Sequence, residues 1–381
     1  MINGKLPDLI THAADLKRLA GILLQQPIIA VDTESNSLYA YKEQVCLIQF
    51  STQDDTYLVD PLAFKHLDLL APVFNDPSIE KVFHAAEYDL FCLRRDFNFE
   101  FANLFDTMAA ARILGREAVG LGAILEAEFG VQLDKRYQRA NWGVRPLPEH
   151  QLHYARMDTH YLIPLRNRLF DELQERRLWP LAKEDFERLA HQTWEENGRN
   201  GEKPLDCWRI RGSHDLKPRQ AAVLNALCQY RDEAARNLNR PLFKVIGDPT
   251  LIAIAENTPL TMEELCRLPG MSRGQIRRHG SHLLQAVQRG LKAKPLHPPR
   301  QPRPDERITE RVDALKRWRK TTAQEMGVKS DIILPRDLIT CLAEANPCTL
   351  QELQGLMHAV PWRFEHYGEQ ILQVLNHRKE A

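Results

Sequence analysis

The C-terminal half of this sequence contains one segment twice. When the sequence is shifted by 88 residues, residues 226–291 align without a gap with residues 314–379. A repeat of this length predicts one small folded unit that occurs in two copies, because both copies must bury the same apolar pattern. Thr261 and Thr349 each lie three residues before a Glu, a capping-box pattern that predicts a helix start in both copies. Matched pairs include Ala226/Ala314, Leu227/Leu315, Arg231/Arg319, Leu268/Leu356, Gly280/Gly368 and Leu284/Leu372.

The length of the chain predicts more than one domain. A chain of 381 residues is too long for a single compact core, so two or three domains are expected. A polar stretch at residues 195–204 and five prolines between residues 294 and 304 predict linkers. We therefore predict a domain at 1–195, a first helical domain at 207–292, a Pro-rich linker at 293–306 and a second helical domain at 307–381.

The first 180 residues have the pattern of an α/β domain. Short β-branched and apolar runs predict four strands, and the first three are close enough together to form an antiparallel meander. The predicted strands are residues 27–31, 45–50, 56–60 and 79–84. The predicted helices are residues 67–74 and 87–95, one capped by Asp106 that runs to Leu114, and a long one at 149–177 bent near Pro164.

Composition excludes several classes of protein. No run of about 18 apolar residues is present, so no transmembrane helix is expected. The N-terminal segment has no apolar signal-peptide core, which predicts a cytoplasmic protein. The seven cysteines are scattered without a CxxC pair, which argues against a disulfide framework and against a structural zinc site.

The net charge of zero conceals an uneven distribution of charge. Residues 1–200 hold 22 Lys and Arg against 30 Asp and Glu, a net charge of −8. Residues 201–300 hold 17 against 9, a net charge of +8, whereas residues 301–381 hold 12 of each. One interpretation is that the acidic part binds cations and the basic part binds phosphates. The other is that charge simply fluctuates between domains.

Carboxylates follow the predicted strands at positions where they can converge. Asp32 and Glu34 are two residues apart, so their side chains lie on the same face of a strand. Asp89 follows a later strand, and Tyr154 and Asp158 are four apart on a predicted helix and share one face. Each residue alone has an ordinary explanation, such as a solvated strand end or a surface carboxylate. Together they favour a site for divalent cations, which is one way to offset clustered negative charge.

The set of residues resembles a known enzyme family. Residues 31–34, 83–89 and 154–158 resemble, in order and separation, the three exonuclease motifs of the DEDD superfamily in its tyrosine variant. Residues 106–107 and 133–147 resemble its ribonuclease D branch, and the two repeats resemble the helicase-and-RNase-D C-terminal (HRDC) domain. The whole layout is similar to that of the bacterial ribonuclease D family. The resemblance implies an α/β exonuclease domain, with a ribonuclease H-like mixed sheet and flanking helices, followed by two small all-α domains.

The resemblance also implies an activity and a mechanism. It implies a 3′→5′ exoribonuclease that trims tRNA precursors, releases nucleoside 5′-monophosphates and uses two divalent ions, Mg²⁺ or Mn²⁺. By the same resemblance, Asp32 binds both ions, Glu34 and Asp158 bind the ion on the nucleophile side, and Asp89 supports the other ion. Tyr154 is expected to orient the attacking water. RNA is the expected partner, and neither a membrane nor an obligate protein partner is inferred.

Further residues are candidates for contacts with nucleic acid. Each has a competing explanation: a structural histidine, a solvated cation, a packed core tryptophan or an ordinary basic helix face. The candidates are His84, Lys135, Trp142, Arg145, Arg273, Arg277 and Arg278. Because the first repeat lies in the segment of +8 charge, we expect it to supply most of the RNA affinity of the C-terminal half.

Two other functions remain open at this stage. A DNA exonuclease of the repair type is one, since such enzymes carry the same motifs. A nucleic-acid-binding scaffold with an inactive nuclease fold is the other. The presence of all four carboxylates and of Tyr154 argues against the scaffold.

Overall fold

The computed structural model describes residues 8–192, 207–299 and 305–376. The chain forms two compact units. One comprises Met1–Ser35, Val45–Trp194 and Arg303–Ala381, and the other comprises Asn36–Gln44 and Glu195–Pro302. The predicted α/β domain and the second repeat therefore share a unit, whereas the first repeat forms most of the other.

One mixed sheet organises the α/β domain. Its strands are β1 (Asp8–Ile10), β2 (Ile28–Ser35), β3 (Val45–Ser51), β4 (Thr56–Val59), β5 (Glu80–Phe83) and β6 (Leu104–Asp106), in the order β1-β4-β3-β2-β5-β6. Strands β2, β3 and β4 form the predicted antiparallel meander, while β1, β5 and β6 pair in parallel with their neighbours. Strand β2 continues past the predicted end because β3 pairs with it as far as Ser35. The short strands β1 and β6 are too brief for a sequence pattern to predict.

Within the described residues 8–192, eight α-helices accompany this sheet. They are α1 (Ala13–Leu23), α2 (Ala71–Asn75), α3 (Glu87–Phe97), α4 (Thr107–Ile113), α5 (Leu121–Phe129), α6 (Glu149–His160), α7 (Leu162–Glu175) and α8 (Trp179–His191). The helix predicted at 149–177, with a bend near Pro164, is two helices in the structure, because the chain turns at Tyr161, three residues before the predicted bend. Pro164 lies in the first turn of α7, where a missing N–H breaks no helical hydrogen bond.

The side chains on the two faces of β3 pack into different parts of the core. Ile48 and Phe50 belong to the main core of the α/β domain. Leu47, on the opposite face, clusters with Leu58 of β4 and with Ala155 of α6. Helix α6 therefore covers the face of the sheet that carries Leu47 and Ser51 of β3.

Two bundles of five helices follow. The first contains α9 (Pro218–Leu238), α10 (Leu242–Val245), α11 (Asp248–Asn257), α12 (Met262–Cys266) and α13 (Arg273–Lys292). The second contains α14 (Glu306–Met326), α15 (Ser330–Ile333), α16 (Arg336–Ala345), α17 (Leu350–Leu356) and α18 (Pro361–Asn376). Corresponding helices begin 88 residues apart, for example at 218 and 306, which confirms the predicted repeat. Thr261 and Thr349 each accept a hydrogen bond from the backbone N–H of the predicted Glu, at 3.2 Å in both copies.

One position of the repeat has diverged in a way that matters for the fold. In the first copy, the side chain of Gln275 donates to the carbonyl of Val245 at 2.9 Å. The equivalent Arg363 donates to the carbonyl of Ile333, the residue equivalent to Val245, at 3.3 Å. Arg363 is long enough to bind residues of the α/β domain as well.

Arg363 anchors the second repeat to helix α8. Its guanidinium is completely buried and binds Glu184, while its two terminal nitrogens lie 2.9 and 3.0 Å from the carboxylate of Asp185. Glu184 also accepts the backbone N–H of Trp362 at 2.8 Å. Burial raises the pKa of Glu184, although Arg363 acts in the opposite direction. Ile332 of the second repeat lies in the main core of the α/β domain, so the anchor joins two parts of one unit.

The predicted linkers are only partly described. Residues 195–204 lie outside the described residues. Residues 294–299 form no regular secondary structure, and the backbone N–H of Leu296 donates to the carbonyl of Pro218 at 2.9 Å. Across the described ranges, no helix combines the length and apolar character needed to span a membrane.

Arg363→Ala is expected to lower the free energy of unfolding by about 3–5 kcal/mol, because it leaves buried carboxylates without their partner. Arg188→Ala is the matched control, since Arg188 also lies on α8 and binds Asp337 of the second repeat at 2.8 Å, but Asp337 is mostly exposed. An exposed pair contributes about 0–1 kcal/mol. Urea denaturation measures both values, and equal losses would contradict the assignment of Arg363 as the main anchor.

Candidate active site

Strand β2 places two carboxylates side by side. Asp32 and Glu34 lie two residues apart on β2, so both side chains point to the same face of the sheet. Asp32 is directly opposite Gln49 of β3, and Glu34 is opposite Leu47. Since Leu47 packs beneath α6, the two carboxylates face the same helix.

Helix α6 brings Tyr154 and Asp158 to this face. They lie one helical turn apart, and the phenol of Tyr154 donates a hydrogen bond to the Asp158 carboxylate. The ring of Tyr154 packs against Tyr137 and Trp142, with ring centroids at 5.9 and 6.0 Å. Ser51 of β3 and Thr159 of α6 share a buried hydrogen bond of 2.7 Å, which fixes the helix on the sheet.

Asp89 reaches the site from the carboxyl end of a parallel strand. Strand β5 pairs with the first part of β2 and ends at Phe83, and helix α3 then begins two residues before Asp89. The hydroxyl of Thr33 donates to the Asp89 carboxylate, which joins this helix to β2. The Asp106 carboxylate accepts the backbone N–H groups of Ala85 and Ala86 at 3.1 and 2.8 Å and so holds the turn that precedes α3.

The carboxylates form a compact cluster. Ligand oxygens of Asp32, Glu34 and Asp158 all lie within 4.8 Å of one another. Burial, followed by the charges of neighbouring carboxylates, raises the pKa values of Asp32, Glu34 and Asp89 well above their usual range. Burial raises the pKa of Asp158 from its ordinary value of 3.8 to about 7. Such crowding of like charges favours any cation that can enter the cluster.

The donor set fits a hard divalent metal. Every candidate ligand is a carboxylate oxygen, and oxygen ligands suit Mg²⁺ and Mn²⁺, whereas zinc sites use nitrogen and sulfur ligands more often. Asp89, whose orientation is fixed by Thr33, adds a fourth carboxylate beside the first three. The chemistry of these residues therefore supports metal-assisted catalysis rather than covalent catalysis.

Two residues predicted to contact RNA have other functions in the structure. Trp142 is only 1% exposed and supports Tyr154, so its face is covered and the expectation that it stacks on a base is corrected. Arg145 forms a two-pronged ion pair with Asp60 at 2.6 Å and donates to the carbonyls of Cys46 and Trp142 at 2.7 Å. These bonds make Arg145 a clamp on the segment before α6 rather than a ligand for phosphate.

The other candidates for RNA contacts are placed as follows. His84 is half-buried and shares a hydrogen bond of 2.9 Å with Thr107, and burial lowers the pKa of its imidazole. The side chain of Lys135 lies outside the described part of the chain. Arg273, Arg277 and Arg278 are exposed on helix α13 of the first repeat.

Two residues beside the cluster were not predicted from the sequence. Thr33 lies between the two carboxylates of β2, and its hydroxyl orients Asp89. Gln49 was included in an apolar strand without comment, yet it lies opposite Asp32. The signal for Gln49 was a polar residue within a strand that is otherwise almost entirely apolar.

Comparisons with known proteins agree with this geometry. The family described as 3′-5′ exonuclease matches residues 7–174, and the HRDC domain family matches residues 220–287 and 309–375. The chain is 31% identical to ribonuclease D of Sphingobium indicum, over 97% of this chain and 95% of that protein. The chain belongs to the ribonuclease D family. This confirms the resemblance inferred from the motifs. It also confirms the predicted fold class, an α/β exonuclease domain followed by helical domains.

Solved structures and other relatives extend the comparison. The chain of this ribonuclease D family member superposes on Escherichia coli RNase D, an exoribonuclease involved in structured RNA processing, with a TM-score of 0.66 and 28% identity. The match covers 98% of this chain and 99% of that one. Protein RRP6-like 1 of Arabidopsis thaliana is 30% identical over 85% of this chain. The chain spans 50%, 31% and 33% of the lengths of the three Arabidopsis RRP6-like proteins that it matches.

In a chelator, the melting temperature is expected to fall as the pH rises from about 4 to about 8. Folding raises the pKa of Asp158 from 3.8 to about 7, so the folded state retains a proton that the unfolded chain releases. The contribution of this proton to the free energy of unfolding is fully present below pH 4 and is lost as the pH rises through 7. Differential scanning calorimetry of the protein and of Asp158→Asn measures the effect. The variant should lose less stability over this interval, and an identical pH dependence would contradict the assignment.

Proposed function

We propose that this protein is a 3′→5′ exoribonuclease that hydrolyses phosphodiester bonds with the help of two divalent metal ions. The observation that carries the proposal is the convergence of Asp32, Glu34 and Asp158 within 4.8 Å. Asp89, oriented by Thr33, adds a fourth carboxylate. The family to which the chain belongs supports the same reaction.

The residues of the cluster have distinct proposed functions. Asp32, Glu34, Asp89 and Asp158 would hold the ions, Mg²⁺ or Mn²⁺. When bound, such ions lower the pKa of the attacking water and stabilise the charge that develops on the phosphate oxygens. Tyr154 stays protonated because burial and nearby carboxylates raise the pKa of its phenol. It therefore acts as a neutral hydrogen-bonding group that orients the attacking water, not as a general base.

RNA with a free 3′ end is the proposed substrate. The similarity to an exoribonuclease involved in structured RNA processing supports RNA as the polymer. We extend this to the trimming of tRNA precursors in the cytoplasm, with release of nucleoside 5′-monophosphates.

The proposal predicts a metal-dependent shortening of RNA from its 3′ end. A single-stranded RNA labelled at the 5′ end, and DNA of the same sequence, are incubated with Mg²⁺, Mn²⁺ or a chelator. Asp32→Asn should abolish cleavage. Tyr154→Phe should lower the rate and leave residual activity, because it removes a hydrogen bond to the attacking water but none of the carboxylates.

Gel electrophoresis of the products separates the competing functions. A ladder that shortens with time on RNA supports the proposal. Equal or faster trimming of DNA would favour a repair-type exonuclease. Intact RNA in every condition, together with RNA binding that persists in chelator, would leave only the scaffold.

Helix α13 of the first repeat is the proposed backbone-binding surface. The helix contains no Asp or Glu, and it exposes Arg278, Arg289 and Lys292 in addition to its first arginines. The equivalent α18 exposes Glu365 and Glu369, and its only arginine is buried. A basic helix without carboxylates suits contact with phosphates, which carries no sequence preference.

Arg278→Gln combined with Arg289→Gln is expected to weaken RNA binding by the full-length protein and to flatten its salt dependence. Each lost phosphate contact should reduce the slope of log K against log salt by about 0.7 on a single strand. Arg317→Gln combined with Lys320→Gln removes the same charge from exposed positions of α14. Fluorescence anisotropy at several salt concentrations compares the two variants, and a larger loss of slope in the α14 variant would refute the surface.

A further inference from the structure

Gln49 is a fully buried polar residue in the middle of strand β3. Its exposure is 0%, and all seven residues of the strand are buried. Within the described part of the chain, neither the amide nitrogen nor the amide oxygen of Gln49 has a hydrogen-bond partner. An unsatisfied buried amide is destabilising, whereas an apolar residue of the same shape would be neutral or stabilising there. The core of this domain therefore does not account for an amide at this position.

The register of the sheet places Gln49 beside the acidic cluster. Gln49 lies opposite Asp32 of β2 and opposite Leu58 of β4, so the three side chains form one row on one face. Side chains that are directly opposite have Cβ atoms about 4.5–5.5 Å apart, a separation that a glutamine amide can span to reach a carboxylate.

Helix α6 packs over this row of side chains. Leu58 packs with Tyr154 and Ala155 of α6, and Ser51, two residues beyond Gln49 on the same face, bonds Thr159. The amide of Gln49 is therefore enclosed between β2, β4 and the helix that carries Asp158. An ionised carboxylate can only accept hydrogen bonds, and an amide NH₂ group supplies two donors.

We propose that Gln49 is a positioning residue: when the cluster binds metal, its amide N–H, which has no partner among the described residues, donates to the carboxylate of Asp32 and orients it towards the ion. Carboxylates that bind metals are themselves hydrogen-bonded, and this fixes which oxygen faces the ion. The inference rests on the proposed function in so far as Asp32 is a metal ligand. It adds a residue that none of the three exonuclease motifs includes.

Gln49→Leu tests the proposal because a core residue and a positioning residue respond differently. The variant should melt at the same temperature as the wild type or higher, since it removes a buried unsatisfied amide. The dissociation constant for Mn²⁺, measured by electron paramagnetic resonance in the absence of RNA, should rise by about 10-fold or more. The kcat for RNA should fall, while the KM for RNA stays within about twofold of the wild-type value because Gln49 is not expected to touch the substrate.

Phe50→Leu is the matched control on the same strand. Phe50 lies on the opposite face, in the main core, so the variant should lower the melting temperature and leave the affinity for Mn²⁺ unchanged. Gln49→Met, which keeps the length of the side chain without its amide, should weaken Mn²⁺ binding in the same way as Gln49→Leu. Normal Mn²⁺ affinity in a folded Gln49→Leu or Gln49→Met protein would overturn the proposal.

The same measurements separate this inference from the proposed function. If the wild type binds Mn²⁺ more tightly than both Asp32→Asn and Gln49→Leu but degrades no RNA, Gln49 still positions Asp32 and the exonuclease proposal fails. If RNA is degraded and Gln49→Leu binds Mn²⁺ normally, only the role of Gln49 fails. Wild-type protein that binds Mn²⁺ no better than Asp32→Asn would overturn both.

Discussion

Repulsion among buried carboxylates is the constraint on which the functional site depends. Asp32, Glu34, Asp89 and Asp158 come from a strand and two helices, and burial raises the pKa of every one of them. A flexible chain would separate these groups, so the site needs a rigid frame that holds them together. The central sheet supplies that frame, and hydrogen bonds such as Thr33 to Asp89 fix the helices that deliver the remaining carboxylates. The crowding of like charges would favour a cation that enters the site.

The two helical repeats show how one fold can acquire different functions through single positions. In the first copy, the side chain of Gln275 donates a hydrogen bond to the carbonyl of Val245. The equivalent Arg363 makes the matching bond and also binds Glu184 and Asp185 of the α/β domain. The second copy thus shares a compact unit with the α/β domain, and its final helix exposes acidic side chains. The first copy keeps a final helix without carboxylates, which suits a phosphate backbone.

Local patterns predicted the parts of the structure that depend on neighbours in sequence. The alternation of β2 and the four-residue spacing on α6 placed Asp32, Glu34, Tyr154 and Asp158 on facing surfaces. The meander formed as predicted because its three strands are close together in the chain. The sequence placed a bend near Pro164 but not the break at Tyr161, because α6 and α7 share one continuous helical pattern and the turn between them follows from packing on the sheet.

The sequence by itself determined the family, the repeat and the residues able to bind metal, because motif spacing and periodicity are properties of the chain alone. Only the tertiary structure decided how individual polar side chains are used. Trp142 supports Tyr154, Arg145 clamps Asp60, and Gln49 lies beside Asp32, although each looked like a surface or core residue of a different kind. The physical reason is that a side chain takes its function from the groups around it, and here those groups lie far away in sequence and close together only in the fold.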